Sequence, residues 1–357
     1  MHICSLNNVN GTMNIKWIRL LAFAAMLLAV VSCKDDDETD YEYMSGNLVY
    51  DMPTYAVVNQ EITSYVTGIT TPSSPRYFWV SHDIEISDTD TLYSQSITFT
   101  TPSVPGKYSI TVFARADGYY STSSTSDIQV INADMSQIGG WLQGSSSVRD
   151  SRDGEVYRTE VIGSLEWFIQ DLRYDGTEAG GELLGRPYDN SEGIDNIFGR
   201  LYSWNDATGG ETGSGLGGGP QGACPEGWSV PTAEDWEDLA LATGGAELDF
   251  YDNWPGLGEM LSAPITIAGS AMWPYSPDNM HTNTVRWNGS PNGNSRDNYG
   301  IYENIAVYGM WWSSSEMDNG MVPYRYMFYN SGDFNVYYTD KESYGVSVRC
   351  VRLAQGQ

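Results

Sequence analysis

The sequence predicts a mainly β protein in two parts, a small N-terminal β-sandwich followed by a larger α+β head. Three observations carry that expectation. Residues 47–132 hold short stretches that alternate apolar and polar side chains with period two, separated by turns containing Pro and Gly. From residue 149 onward the alternation continues, but one segment with helical spacing and long Gly- and Asn-rich loops interrupt it. The composition agrees, because 38 Gly, 12 Trp and 25 Tyr in 357 residues describe a β-rich, loop-rich exported chain.

The first element is an export signal over residues 1–32. Lys16 and Arg19 precede Leu20 to Val31, twelve apolar residues without a charge. That is the layout of a secretory signal, and it is shorter than the roughly 20 residues of a membrane span. Met13 is the expected start, which leaves Cys4 outside the working chain. "Val30-Val31-Ser32-Cys33" resembles a bacterial lipobox, in which the cysteine becomes the first residue and carries lipid. Acyl chains at about 0.8 kcal/mol per buried CH2 hold a protein on a membrane without a spanning helix. Lys34, Asp35 and Asp36, with Asp37 behind them, resemble the export tag of Bacteroidota surface lipoproteins. The alternatives are a plain signal peptide with a free Cys33, and a tether that is merely acidic. The expected location is the outer membrane, lipid-anchored and surface-exposed.

Residues 33–46 are a polar tether without periodic apolar residues. In residues 47–132, "Tyr77-Phe78-Trp79-Val80", Ile97–Thr100, Tyr108–Ala114 and "Ile128-Gln129-Val130" read as strands. Pro72, Pro75, Pro105-Gly106 and Asp117-Gly118 punctuate them. About seven short strands in about 85 residues suggest an immunoglobulin-like sandwich with Trp79 at its centre. "PGKYSITVFARADGYY" resembles the late strands of PKD-like bacterial modules, which implies a spacer. Residues 133–148 read as a Gly/Ser linker, and residues 149–357 as the head. There Asp153-Gly154 and Gly163-Ser164 mark tight turns between strands. Thr232 is placed to cap a helix, with Asp235 in the capping-box position. Trp236, Leu239 and Ala240 share its face and Gly244 ends it.

Five phrases of the head occur in an order that resembles the Fibrobacter succinogenes major paralogous domain. They are "DGEVYRTEVIGSLEWFIQDL", "GRLYSW", "CPEGWSVPTAEDWEDL", "WWSSSE" and "GVSVRCVR". The resemblance implies a C-type lectin-like α+β domain, of the superfamily that includes the formylglycine-generating enzyme, with a curled antiparallel sheet and long loops. Trp228, Trp236, Trp311 and Trp312 fall in these phrases and are expected in the core. With Cys33 lipidated, Cys224 and Cys350 remain, and an oxidising compartment pairs them. Two buried thiols are the alternative. The bond would tie the start of the helical segment to the last strand.

The charge balance narrows the function. Eighteen basic and 46 acidic residues give −28, and a field of that sign repels nucleic acid. Three His residues offer little for a His-based metal site, and no nucleophile has a base near it in sequence. No catalytic residues and no enzyme activity are therefore expected. "Trp204-Asn205-Asp206" matches a sugar-binding phrase of C-type lectins but lies in the "LYSW" segment, far from the last strand, and reads as coincidence. Calcium is the one cofactor considered, with Glu316, Asp318 and Asn319 as candidate ligands. Residues 262–308 concentrate aromatic and amide groups: Trp273, Tyr275, Trp287, Asn288, Asn294, Arg296, Asp297, Asn298 and Tyr299. Sugars suit such surfaces, stacking on rings and pairing with amides. The same residues could equally pack and turn the loop. The leading expectation is a non-catalytic binder of an extracellular glycan. A protein-binding adhesin or accessory subunit of a surface complex is the alternative, and an enzyme is the third reading.

Overall fold

The computed structural model describes residues 41–86, 94–132, 138–177, 180–191, 193–245, 247–267, 270–274 and 279–355. Cys33, Lys34, Asp35 and Asp36 lie outside the described residues, as does Tyr275.

Seven strands are described in the N-terminal part: β1 (Ser45–Tyr50), β2 (Tyr55–Val57), β3 (Glu61–Thr71), β4 (Arg76–Ser81), β5 (Ser96–Thr100), β6 (Gly106–Arg115) and β7 (Thr122–Ile131). They form two sheets of order β1-β3-β5 and β2-β7-β6-β4. All pairs are antiparallel except β2 with β7. The split resembles an immunoglobulin-type sandwich, with the first edge strand divided between the sheets. Period-two alternation decides which faces meet: Ile62 and Val66 of β3 oppose Ile110, Val112 and Ala114 of β6 across a closed core. Trp79 is buried at the centre, and its Nε1 donates to the Ser94 carbonyl at 3.0 Å.

The head is also mainly β. It begins with β8 (Ile138–Gly139), β9 (Ser146–Arg149), β10 (Val156–Ile162) and β11 (Leu165–Phe168). After a stretch of helices and loops come β12 (Thr266–Ile267), β13 (Ser270–Ala271), β14 (Asn292–Arg296), β15 (Ile301–Ile305), β16 (Tyr308–Trp312), β17 (Val322–Phe328), β18 (Asn335–Thr339), β19 (Tyr344–Gly345) and β20 (Val351–Leu353). They make sheets of order β20-β11-β10-β9, β13-β12-β8, β15-β14-β19 and β16-β17-β18. Gly163 and Ser164 make the two-residue β10–β11 turn, with Ile162 opposite Leu165. Gly163 has φ +66°, and a Cβ there would lie 2.3 Å from Asp238 Oδ2. Only glycine lets this turn sit against the helix.

That helix, Ala233–Thr243, forms as its caps dictate. Asp235 N–H donates to Thr232 Oγ1 at 3.2 Å, Thr232 N–H donates to Asp235 Oδ2 at 2.9 Å, and Gly244 ends the helix at φ 84°. Trp236, Leu239 and Ala240 enter a cluster with Trp167, Trp287, Trp311 and Phe334. Cys224 and Cys350 are disulfide-bonded and fully buried, with Cα atoms 5.8 Å apart.

At the centre of the head lies a buried ion pair. Arg349 Nε donates to Asp171 Oδ1 at 2.7 Å, with both side chains almost free of solvent. Arg349 also donates to the Trp287 and Asn288 carbonyls, and its guanidinium lies 4.0 Å from the Trp287 ring centre. Asp171 further accepts from Trp311 Nε1 at 2.8 Å, Asn292 Nδ2 at 3.0 Å and Ser290 Oγ at 3.2 Å. A buried charge costs heavily unless paired and hydrogen-bonded, and here each guanidinium nitrogen of Arg349 and both Asp171 oxygens have a partner.

The two parts meet across apolar side chains. Tyr55 and Ile131 of the sandwich join Tyr188, Ile197, Phe198, Ile265, Met272 and Ile305 of the head in one buried cluster. Tyr55 Oη contacts Met272 Sδ at 3.3 Å. The stretch expected to be a linker contributes to the head instead: β8 pairs with β12, and Leu142 N–H donates to Asn288 Oδ1 at 3.0 Å.

Removing one partner of a buried pair costs about 3–5 kcal/mol. Asp171→Ala is expected to lose that much in urea unfolding, and a loss under about 1 kcal/mol would show that the pair does not hold the head. Because the junction is apolar and buried, calorimetry of the chain is expected to give one cooperative transition. Two well-separated transitions would contradict a fused junction.

Candidate functional site

The sandwich and the head enclose a cleft of about 500 Å3 where they meet. The sandwich supplies the β1–β2 connection, residues 51–54, and the start of β3 with Gln60 before it. The head supplies the 3-10 turn Tyr188–Asn190, the β14–β15 turn with Tyr299, and Tyr302 of β15. Both head segments are unusual backbone. Asp189 and Asn190 have φ of 54° and 50°; Asp297, Asn298 and Tyr299 have 52°, 53° and 63°. Asp and Asn tolerate this left-handed region, whereas a bulky Tyr there is uncommon. Tyr299 is held by its hydroxyl, which donates to Asp206 Oδ2 at 2.7 Å and accepts from Ser203 N–H at 2.8 Å.

Side chains of the two parts lock the cleft. Thr54 N–H donates to Asp189 Oδ2 at 3.2 Å, and Ser191 Oγ donates to Gln60 Oε1 at 2.8 Å. Tyr302 Oη donates to Asn190 Oδ1 at 2.8 Å, and the rings of Tyr188 and Tyr302 lie 5.6 Å apart. Among the described residues, no Lys or Arg lines the cleft. Arg186 stacks on the Tyr299 ring at 5.3 Å without joining the lining. Burial pushes the Asp189 carboxyl up to about 6, against the pull of the Thr54 N–H, and the Asp51 charge pushes it further. Burial likewise pushes the Tyr302 hydroxyl up to about 12 and raises those of Tyr188 and Tyr299. All three rings are therefore neutral, hydrogen-bonding phenols at neutral pH.

The residues singled out by sequence are only partly gathered here. Tyr299 lines the cleft. Asp297 and Asn298 form the exposed tip of the same turn, and Arg296 is paired with Glu303 at 2.6 Å. Trp287, Asn288 and Asn294 are fully buried, so the expectation of a sugar-facing surface is corrected at these three positions. Trp287 packs against Trp167, Trp236 and Trp311. Asn288 bonds both the N–H and the C=O of Leu142, and Asn294 Oδ1 accepts from Asn304 at 2.7 Å. Trp273 is buried too, stacked on His281 at 5.0 Å, which leaves no open ring face there. Tyr275 lies outside the described residues.

The calcium candidates do not converge. Glu316 pairs with Lys341 at 2.9 Å, Asn319 Oδ1 accepts from Met321 N–H at 3.0 Å, and Asp318 is exposed. Among the described residues, no group of three or more His, Cys, Asp or Glu is placed to hold a metal. "Trp204-Asn205-Asp206" opens a short helix capped by Ser203, with Trp204 buried and Asp206 bonded to Tyr299. Sequence reasoning missed Asp51, Gln60, Tyr188, Asp189, Asn190 and Tyr302. Only "Tyr188-Asp189-Asn190", a ring beside two left-handed-tolerant residues, carried a local signal.

Fold and cleft together define a mainly β protein of two joined parts, with a composite pocket at the joint. The family model of the Fibrobacter succinogenes major domain matches residues 161–352, more than half of the chain, and the protein belongs to that family. No curated protein matches it. Among solved structures, the Yersinia pseudotuberculosis adhesin InvE is 11% identical, over 87% of this chain and 70% of that one, with a TM-score of 0.23. The insect immune protein hemolin is 14% identical, over 43% and 39%, with a TM-score of 0.19.

An acid whose pKa is raised by folding binds more protons folded than unfolded between its two values, so its ionisation weakens the fold as pH rises. Asp189 does this through about 6. Asp189→Asn is expected to gain on the order of 1–2 kcal/mol at about pH 7.5 and nothing at about pH 4. Urea unfolding at both values checks this, and a gain of equal size at both would contradict it.

Proposed function

We propose that the protein is a lipid-anchored lipoprotein of the outer-membrane surface that binds an extracellular glycan without catalysis. The cleft at the domain junction is the observation that carries the reading. It is concave, within the roughly 300–1,000 Å3 usual for small-molecule sites, and lies at a domain interface, where such sites concentrate. Its lining combines tyrosine rings, which suit sugar faces, with amide and carboxylate groups, which suit hydroxyls. The C-type lectin-like character of the head rests on the sequence resemblance and is part of this proposal. So is the anchor at Cys33, followed by Lys34, Asp35 and Asp36. Metal is not needed by this lining, and calcium enters only as a variable to test.

A second reading, a protein-binding adhesin, is favoured by a different surface. Phe250 and Tyr251 stand 91% and 72% exposed on a turn fixed by Asp249, near the exposed Leu248. Ordered aromatic rings in solvent suit a protein partner.

A glycan-array screen of the chain, with calcium and with chelator, tests the first reading. Binding is expected, with Tyr302→Ala weakening it by at least about tenfold. Silence across diverse glycans from folded, disulfide-bonded protein, with a pulled-down partner lost in Phe250→Ala, would replace it with the second.

A further inference from the structure

We infer that the junction cleft is built for a saccharide bearing a free amine, its ammonium seated against Asp189 and Asp51. The inference rests on the glycan reading and narrows it to a substrate class.

Hydrogen-bond bookkeeping at the lining gives the pattern. Asp189 Oδ2 is occupied by Thr54 N–H, and Asp51 Oδ1 by Ser64 Oγ and Tyr65 N–H. The second oxygen of each carboxylate has no protein hydrogen bond among the described residues. Among the described residues, neither carboxylate has a Lys or Arg within ion-pair distance, although the head uses most of its arginines that way, as at Asp150, Asp195 and Glu303. At neutral pH, Asp189 is thus an ionised acid drawn out of water beside a second negative charge, with no counter-ion. Such an arrangement weakens the free fold, and residues of that kind concentrate where a ligand supplies what is missing. The missing group is a cation that also donates hydrogen bonds. An ammonium does both, and its charge-assisted bonds are the strong ones.

The rest of the lining suits the sugar to which the ammonium is attached. Gln60 Oε1 is taken by Val57 N–H and Ser191 Oγ, and Asn190 Oδ1 by Tyr302 Oη. Their amide NH2 groups remain as donors for ring hydroxyls. Tyr302 and Tyr299, both half-buried, offer apolar ring surface, with the buried Tyr188 ring packed behind Tyr302. An acidic sugar is disfavoured twice over: among the described residues the lining carries no cation, and a chain of net charge −28 repels it at a distance. Because Asp51 and Gln60 belong to the sandwich and Tyr188, Asp189 and Tyr302 to the head, each part holds half of the ligand. The sandwich is then half of the site as well as a spacer.

Calorimetric titration of the full chain at physiological salt tests this with three probes of equal length: a glucosamine oligosaccharide, its N-acetylated counterpart and an oligogalacturonate. The glucosamine oligomer is expected to bind saturably and at least about tenfold more tightly than the N-acetylated one, with no binding of the acidic one. Asp189→Asn and, independently, Asp51→Asn should each bring the amine preference down to about threefold or less, with circular dichroism confirming the fold. Loss of one charge among the chain's many leaves bulk attraction nearly intact, so an unchanged preference in both variants would assign it to general electrostatics and overturn the site. Equal or tighter binding of the N-acetylated or acidic oligomer would overturn the amine inference and leave the glycan reading standing. No binding of any of the three would overturn the amine inference, and the glycan array then decides the glycan reading separately.

Discussion

The head is organised around the Arg349–Asp171 pair. Four segments far apart in sequence end on it: Asp171 after β11, Trp287, Asn288, Ser290 and Asn292 in the stretch leading into β14, Trp311 in β16 and Arg349 before β20. An unpaired charge in that interior would cost several kcal/mol, so each donor and acceptor must arrive in register for the pair to be tolerated. The pair therefore specifies one arrangement of the loops more than it adds stability. It also runs through three of the phrases quoted from the sequence. "FIQDL", "WWSSSE" and "VSVRCVR" each place one member of this network or its immediate packing, and the disulfide at Cys350 fixes the residue next to Arg349.

The consequence for function is spatial. The centre of the head is filled by tryptophan side chains and by the Arg349–Asp171 network, and the cleft lies at its periphery. There the β14–β15 turn and the Tyr188–Asn190 turn meet the sandwich. β14 is the mechanical link, because Asn292 bonds Asp171 at one end while the turn beyond Arg296 presents Tyr299 at the other. The strained left-handed residues of that turn are held from behind by Asp206 and Ser203. A cleft shaped this way is preformed, which lowers the ordering cost of binding.

How much of this was legible in the sequence depends on the range of each interaction. The helix at 233–243 was readable to its caps because Thr232, Asp235 and Gly244 act within a few residues of one another. The strands of the sandwich and the Gly163-Ser164 turn follow from period-two alternation and local backbone freedom. The disulfide followed from counting. The loop at 262–308 misled, because Trp and Asn look the same in a list whether they face a sugar or an interior. Asn288 spends its amide on Leu142, 146 positions away, and nothing local announces that. The cleft was invisible for the same reason: residues 51–63 and 188–190 meet only after both parts have folded. Tyr299 alone was singled out beforehand, through the density of polar and aromatic groups around it.

The measurement that tests the composite site most directly is hydrogen–deuterium exchange of the chain with and without a saturating glucosamine oligosaccharide. Protection is expected to rise together in residues 51–65 of the sandwich and in residues 188–190 and 299–302 of the head. Protection confined to one part, or centred on the Phe250–Tyr251 turn, would contradict a site shared between the two.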